Sequence, residues 1–385
     1  MSRLKKSWLL FVVLCITVLF NACIKSFVPN LEKYNELLVV DGNINDGPGP
    51  YTIKLSKSAK TKERAQFVPY TKCTAYVEDN AGNKITFSEK EPGIYVSDSS
   101  AVQGIPGRAY KLIVGTSDGE WYESEPDVLL KGLKIQNVYG ELEHKTDPKL
   151  FFGRDGYQFY VDTETPATTD NYIFWRMQST YKFRTDFPIL CYYDNGVHYV
   201  TDGDTLRTCF RTLDILDLFL LNTNELQQKE IKRVALNYED NYTKALTIRY
   251  SLKVSQFTIN ERAFNYWSTV KKIISSGGDL YTQQPFQVPN NLKNISNPDK
   301  PALGYFMVAG FSEKRIFLTP ANLIIREGTC NTDSPQFYPL QWFKSRPDIW
   351  PVFYADKGGG PYYLPQECVD CRVNGTQTQP VFWTE

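Results

Sequence analysis

Short segments in which apolar and polar residues alternate, separated by turn-forming residues, constrain the fold of this chain more than any other feature. Residues 51–55, 73–78 and 110–114 alternate at a period of two, as half-buried strands do. Residues 117–119 are Ser-Asp-Gly, which is a hairpin signal. About seven short strands without helical periodicity between residues 37 and 130 predict an immunoglobulin-like β-sandwich.

Residues 131–385 continue the pattern and predict a larger β domain, so the expected fold class is mainly β with one packed α-helix. Thr258 and Glu261 fit a capping box, in which both side chains bind the first free N–H groups of a helix. Apolar residues then recur at helical spacing: Ala263, Phe264, Trp267, Val270 and Ile274. We expect a helix near residues 259–275 whose aromatic side chains pack on a sheet.

The first 23 residues have the pattern of an export signal: a basic start, an apolar run over residues 8–20, and Ala22 before Cys23. The apolar run is shorter than the about 20 residues that span a bilayer. The pattern resembles a bacterial lipoprotein signal, which implies that residues 1–22 are removed and that Cys23 is diacylated. Residues 23–36 then form a lipidated tether. An ordinary signal peptide with an accidental cysteine is the alternative.

Charge and short motifs exclude several function classes. Without residues 1–22 the net charge is −3, and no basic field is left to bind nucleic acid. The glycines at 358–360 precede a proline and do not form a phosphate loop, and we expect no cofactor. Residues 194–196 and 201–204 carry oxygen ligands that calcium prefers, but they lack EF-hand spacing and are predicted to be hairpin turns.

The histidine content argues against an enzyme. His144 and His198 are the only two histidines, which excludes a histidine-rich zinc site. A Ser-His-Asp triad would have to use one of them, and the sequence has no nucleophile-elbow pattern. We therefore predict a protein that is not an enzyme, with an unrecognised hydrolase as the alternative.

Six cysteines remain after the signal and the acylated residue are set aside: Cys73, Cys191, Cys209, Cys330, Cys368 and Cys371. An even number in an exported protein predicts disulfides. Cys191 and Cys209 flank a predicted hairpin and are the preferred pair. At least one of Cys368 and Cys371 should be oxidised, either with the other or with Cys330. Their acidic surroundings disfavour a redox pair, and zinc would need a second pair. Cys73 is predicted to be a buried free thiol.

The tail from residue 329 is rich in proline, glycine and aromatic residues, and it is predicted to be irregular but ordered. Its proline spacing should prevent it from burying every ring in regular structure. Aromatic side chains supply large contact areas at interfaces. Trp342, Trp350 and Tyr354 are therefore the candidate partner-binding residues.

Several short segments resemble one family. They lie at residues 38–42, 93–95, 107–110, 250–252, 303–306 and 314–317, with a tail at 368–372 that closes on Phe382 and Trp383. Together these segments resemble a lipoprotein family of Bacteroidota catalogued as a domain of unknown function, number four thousand two hundred and forty-nine. The resemblance covers nearly the whole mature chain and brings no catalytic residues.

The resemblance implies a lipoprotein that is held in the lipid of the outer membrane through Cys23 and faces the cell exterior. It also implies association with a TonB-dependent receptor-like β-barrel. We expect it to act as a non-enzymatic accessory or binding subunit of that barrel. Two further alternatives are an accessory factor for outer-membrane protein assembly and direct binding of a glycan or nutrient through exposed Tyr and Trp.

Overall fold

The computed structural model describes residues 36–384. Within that range it leaves out residues 59–66, 99–102, 166–171, 226–229, 277–287, 289, 321–322, 327–329, 331–342 and 357–360. The described chain is mainly β, with one α-helix among these residues, as the sequence predicts. None of the described helices combines the length and the apolar character needed to cross a bilayer.

Nine strands of the first region curl around one apolar core. They are β1 (Leu38–Asn45), β2 (Thr52–Lys57), β3 (Val68–Pro69), β4 (Thr74–Asp79), β5 (Lys84–Glu91), β6 (Ile94–Ser97), β7 (Ala109–Gly115), β8 (Trp121–Ser124) and β9 (Asp127–Val128). Alternate residues such as Ile53, Leu55, Ala75 and Val77 are fully buried in that core. The period-two pattern therefore predicts both the strands and their buried faces.

This first region is not closed on itself. β1 pairs in parallel with β19 (Leu303–Leu318), and β8 pairs with β18 (Leu292–Asn294). The prediction of a separate immunoglobulin-like sandwich over residues 37–130 is not confirmed, because strands from beyond residue 290 complete its sheet. Pairing partners so distant in sequence leave no local signal.

The buried side chain of Asn291 connects the β18 edge of this sheet to β19. Its Nδ2 donates to the carbonyl of Phe306 at 2.8 Å, and its Oδ1 accepts from the N–H of Phe306 at 3.1 Å. Its own carbonyl accepts from the N–H of Glu125 at 2.7 Å. The amide thus satisfies backbone groups between the β8–β18 edge and β19, which would be costly to bury unpaired.

Seven strands form a two-layer sandwich in the second region. One sheet contains β10 (Ile135–Lys145), β11 (Arg154–Thr163) and β16 (Ile231–Asp240); the other has the order β15 (Thr208–Asn222), β12 (Tyr172–Arg184), β17 (Arg249–Ile259) and β19. Phe159 and Tyr250 stack between the layers, with ring centroids 5.3 Å apart. When these seven strands are counted in chain order, the first, second and fifth (β10, β11 and β16) form one layer. The third, fourth, sixth and seventh (β12, β15, β17 and β19) form the other. That alternation is of the immunoglobulin-like type, found here rather than in the first region.

β19 joins the two regions. Its residues 303–309 pair with β1, and its residues 310–318 pair with β17. At the change of partner, a Cβ on Gly310 would lie 2.3 Å from the backbone nitrogen of Gly132, so the close approach requires glycine. The carboxylate of Asp46 accepts from the N–H groups of Gly132 at 2.9 Å and Phe311 at 2.5 Å.

The helix α1 (Glu261–Ser276) covers the outer face of the four-stranded sheet. Phe264 packs on Tyr172 and Trp267 on Phe174, with ring centroids 4.6 Å and 5.0 Å apart, which confirms the aromatic stripe as packing residues.

The predicted capping box of α1 is wrong. Asn260 is the cap, because its Oδ1 accepts from the N–H of Ala263 at 2.9 Å. Thr258 still belongs to β17, and its hydroxyl accepts from the N–H of Leu133. The strand partner of Thr258 outweighs its local preference for a helix start.

A third sheet contains much of the described tail. Its order is β14 (Val197–Tyr199), β13 (Ile189–Tyr193), β20 (Val352–Asp356) and β21 (Pro361–Tyr363). The tail is therefore less irregular than predicted, because β20 finds its partner in β13, about 160 residues earlier in the chain.

Two disulfides hold the tail: Cys209–Cys371 and Cys330–Cys368, each with Cα atoms 5.6 Å apart. The predicted Cys191–Cys209 bond is wrong, because Cys191 lies on β13 in the third sheet and Cys209 on β15 in the sandwich. The oxidation of Cys368 with Cys330 is confirmed. Cys371 is also oxidised, but not with Cys368. Cys191 is buried and reduced, and Cys73 is half-buried and reduced.

Candidate functional site

A cavity of about 270 Å³ opens at one end of the sandwich, beside the tail. Its lining combines aromatic rings, hydroxyls, an amide and charged groups of both signs: Ser179, Tyr181, Phe183, Arg211, Leu213, Glu239, Tyr242, Thr243, Lys244, Glu367 and Asn374. Mixed linings in a concave site are typical of small-molecule pockets.

Strand register positions the floor of this cavity. Ser179 and Tyr181 lie two residues apart on β12, and they pair with Leu213 and Arg211 of β15. Side chains two residues apart share a face of a strand, so these four project to the same side of the sheet. Glu239 comes from the end of β16, in the opposite sheet.

Glu239 is a half-buried carboxyl group in the lining of this cavity. It accepts hydrogen bonds from Thr243 Oγ1 at 2.9 Å and from Tyr250 Oη at 3.5 Å. Burial raises the pKa of Glu239; the bond from Thr243 opposes this, and the nearby charge of Asp240 adds to it. Burial also raises the pKa of Tyr250 well above its usual value. The result is a carboxyl in a region of low dielectric whose described partners are hydroxyl groups.

The charges on the wall are balanced. Arg211 and Lys244 contribute two cations, and Glu239 and Glu367 contribute two carboxyl groups. The Lys244 ammonium forms an ion pair with Asp186, with Nζ 3.1 Å from Oδ2. The cavity therefore has no strong field of either sign.

The tail forms the rim of the cavity and is fixed there. The Cys209–Cys371 bond joins β15 to the segment that supplies Glu367 and Asn374. Phe210 and Thr376 also exchange two backbone hydrogen bonds, of 2.8 Å and 2.9 Å. Sequence reasoning missed this site, because its residues come from four separate stretches of the chain.

The predicted partner-binding residues do not line this cavity, and those that the structure describes are largely covered. Tyr354 is only 3% exposed and packs against Phe343, so its ring belongs to the core of the third sheet. Trp350 is half-buried, and its indole N–H donates to the carbonyl of Phe343 at 2.7 Å. Trp342 lies outside the described residues, as does Cys23. The β20 pairing accounts for the burial of Tyr354.

Strongly exposed aromatic side chains lie elsewhere among the residues that the structure describes. Phe151 is 96% exposed and Phe152 is 57% exposed, in the turn between β10 and β11. Their rings meet edge to face, with centroids 4.9 Å apart. The Arg326 guanidinium lies 4.3 Å from the Phe152 ring centroid. Two adjacent phenylalanines before Gly153 were a signal available in the sequence.

The two histidines lie in different sheets. His144 on β10 has Nδ1 2.8 Å from Oδ1 of Asp155, and both side chains are exposed. His198 on β14 stacks on Tyr192, with ring centroids 4.9 Å apart. Across the part of the chain that the structure describes, no cluster of three or more His, Cys, Asp or Glu side chains is arranged to hold a metal ion.

A family model described as a domain of unknown function (DUF4249) matches residues 24–315. The expected resemblance is thereby confirmed, although the match ends before the tail segments at 368–372 and 382–383. A comparison with proteins of curated function finds no match.

Two solved structures are similar to part of the chain. A DUF4785 family protein from Legionella pneumophila is 12% identical over 57% of this chain and 52% of its own, with a TM-score of 0.17. The adhesin InvE of Yersinia pseudotuberculosis is 11% identical over 57% of this chain and 55% of its own, with a TM-score of 0.16. The chain thus spans about half the length of these structures. At such TM-scores they carry no argument about this protein.

Proposed function

The chain belongs to the DUF4249 family, and we propose that it is a non-enzymatic accessory subunit of a TonB-dependent receptor-like β-barrel. In this proposal it is held in the outer membrane by acylated Cys23 and faces the cell exterior. The observation that carries the binding role is the exposure of Phe151 and Phe152 at one turn. Large aromatic side chains left in water are typical of contact sites, because burying them in a partner is favourable.

The anchor is supported by the sequence around Ala22 and Cys23. The family match begins at residue 24, directly after the proposed acylated cysteine. Each buried methylene of an acyl chain adds about 0.8 kcal/mol, so two chains hold a protein stably at a membrane surface.

The histidine environments support a role without catalysis. His144 and Asp155 form an exposed pair in which water competes for both groups. A catalytic base needs a reacting hydroxyl or thiol within hydrogen-bond reach. The described contact of His198 besides its ring stacking is to the carbonyl of Asp194 at 3.0 Å.

The test is copurification from detergent-solubilised outer membranes of the source cells, with captured barrels identified by mass spectrometry. We expect the wild-type chain to capture a TonB-dependent receptor-like barrel and the Phe151→Ser/Phe152→Ser variant to lose it. Tyr199→Ser is the matched control, because Tyr199 is 79% exposed on β14, in a different sheet.

Two outcomes would contradict the proposal. Capture of no barrel by the wild-type chain would argue against the accessory role. Equal capture by the wild type and the double variant would show that the β10–β11 turn is not the contact. Circular dichroism of both variants checks that they are folded.

A further inference from the structure

We propose that the cavity between β12, β15 and the tail binds one neutral sugar residue. This inference concerns a different surface from the β10–β11 turn, and it does not depend on the barrel partner. It rests on three properties of the cavity: the chemistry of its polar groups, its balance of charge and its size.

The polar groups suit a ligand with many hydroxyls. Ser179 and Thr243 offer hydroxyls that both donate and accept, Asn374 offers an amide, and Arg211 offers donors in a planar fork. Glu239 already accepts from two hydroxyl groups, those of Thr243 and Tyr250. A sugar hydroxyl is a donor of the same kind.

The aromatic residues of the cavity suit the apolar C–H faces of a sugar. Tyr181, Phe183 and Tyr242 supply apolar ring surface beside these polar groups. A pyranose presents C–H groups on its faces and hydroxyls at its edges, so it needs apolar and polar walls together. Such a combination fits a sugar better than a purely apolar or purely ionic ligand.

The charge and the size of the cavity further restrict which ligands it can bind. Two cations and two carboxyl groups line the wall. A ligand with a net charge would be attracted by one pair and repelled by the other, so the lining favours a neutral ligand. The volume of about 270 Å³ lies just below the range of small-molecule pockets, roughly 300–1,000 Å³. One ring therefore fits, either free or at the end of a glycan.

The experiment is isothermal titration of the mature chain with D-glucose, D-galactose, D-mannose and N-acetyl-D-glucosamine at millimolar concentrations. We expect saturable binding of at least one of them. We expect binding to be weaker by about tenfold or more in Glu239→Gln, which replaces a carboxylate acceptor by a weaker neutral one, and in Tyr242→Ala, which removes an aromatic ring from the wall. Asp127→Asn is the control, because it makes the same carboxyl-to-amide change at a residue that lies in the first region and does not line the cavity. It should leave the affinity unchanged.

Three results would overturn the inference. The first is the absence of saturable binding by folded wild-type protein. The second is equal weakening by Asp127→Asn, which would place binding elsewhere. The third is tighter binding of D-glucuronate or D-glucosamine than of the corresponding neutral sugar, which would show a charged ligand class. Thermal melting identifies any variant that does not fold. If one of the two cavity variants does not fold, the other still tests the inference.

Discussion

At the scale of single residues, Asp79 shows how one side chain specifies a hairpin. Its carboxylate accepts from the N–H groups of Ala81 and Asn83 at 2.9 Å and 2.8 Å and from Arg108 at 2.7 Å. Burial alone would raise the pKa of Asp79. The hydrogen bonds from Asn83, Arg108 and Ala81 outweigh burial and lower this pKa to about 2. Asp at the start of a turn is a local signal, because its carboxylate can accept from N–H groups of the same turn.

Asp79→Ala should destabilise the protein by about 1–3 kcal/mol, because the N–H groups of the turn and Arg108 lose the buried carboxylate that accepts from them. Since the folded-state pKa is lowered, the stabilisation is present above the unfolded-state pKa of about 3.9 and is lost as the pH falls towards 2. The variant should therefore lose less stability on acidification than the wild type. Urea unfolding between about pH 6 and about pH 3 measures both effects. An unchanged pH profile, or a similar loss in the exposed control Asp217→Ala, would contradict this role.

Glu239 should show the opposite pH dependence, because burial raises its pKa. The folded protein keeps the proton where the unfolded chain, with a pKa of about 4.3, releases it. Stability from this group is present at low pH and falls as the pH rises through the folded-state pKa.

Glu239→Gln should remove that fall, so the variant should be at least as stable as the wild type at neutral pH. Its amide oxygen can still accept from Thr243. Urea unfolding from about pH 4 to about pH 7 tests this. A large loss of stability at neutral pH would mean that the ionised carboxylate is needed for the fold.

At the scale of elements, the periodicity of apolar residues predicted the strands and the helix whose conformation depends on nearby residues. The strands β2, β4 and β7 and the body of α1 follow from apolar spacing, and their buried faces follow with them. The cap of α1 at Asn260 was missed because Thr258 has a strand partner that the sequence does not reveal.

The cysteine pairs were only partly predictable for the same reason. Cys209 and Cys371 are 162 residues apart, and long-range contacts such as the backbone pairing of Phe210 with Thr376 bring the tail to the sandwich. The cavity at Glu239 depends on that placement, so it could not have been predicted either.

The Cys209→Ser/Cys371→Ser variant should lose about 2–4 kcal/mol of stability, because the bond closes a long loop of the unfolded chain. Cys73→Ser, which breaks no disulfide, should change stability much less. Chemical denaturation without reductant compares the two variants. Thiol counting of the denatured, non-reduced wild type should find two thiols, those of Cys73 and Cys191. Four or more would contradict the disulfide arrangement.

At the scale of the whole molecule, one strand serves two regions. β19 completes the curled sheet with residues 303–309 and the sandwich with residues 310–318. A boundary near residue 130 therefore separates two segments of sequence but not two independent sheets. The immunoglobulin-like order was predicted for the first region and found in the second, because alternation identifies strands but not their partners.

The proposed lipid anchor at Cys23 would also favour the proposed contact through Phe151 and Phe152. A chain tethered through residues 23–36 stays near the membrane, where the exposed Phe151 and Phe152 can meet a membrane-embedded partner repeatedly. The proposed barrel contact therefore depends on the proposed acylation of Cys23.

The most direct test of that requirement compares the wild type with Cys23→Ala in cells supplied with labelled palmitate. The account predicts that the wild type incorporates the label and stays in the membrane pellet after a carbonate wash. The folded variant should be unlabelled and released. Retention of Cys23→Ala in the washed pellet, or absence of label from the wild type, would contradict the account.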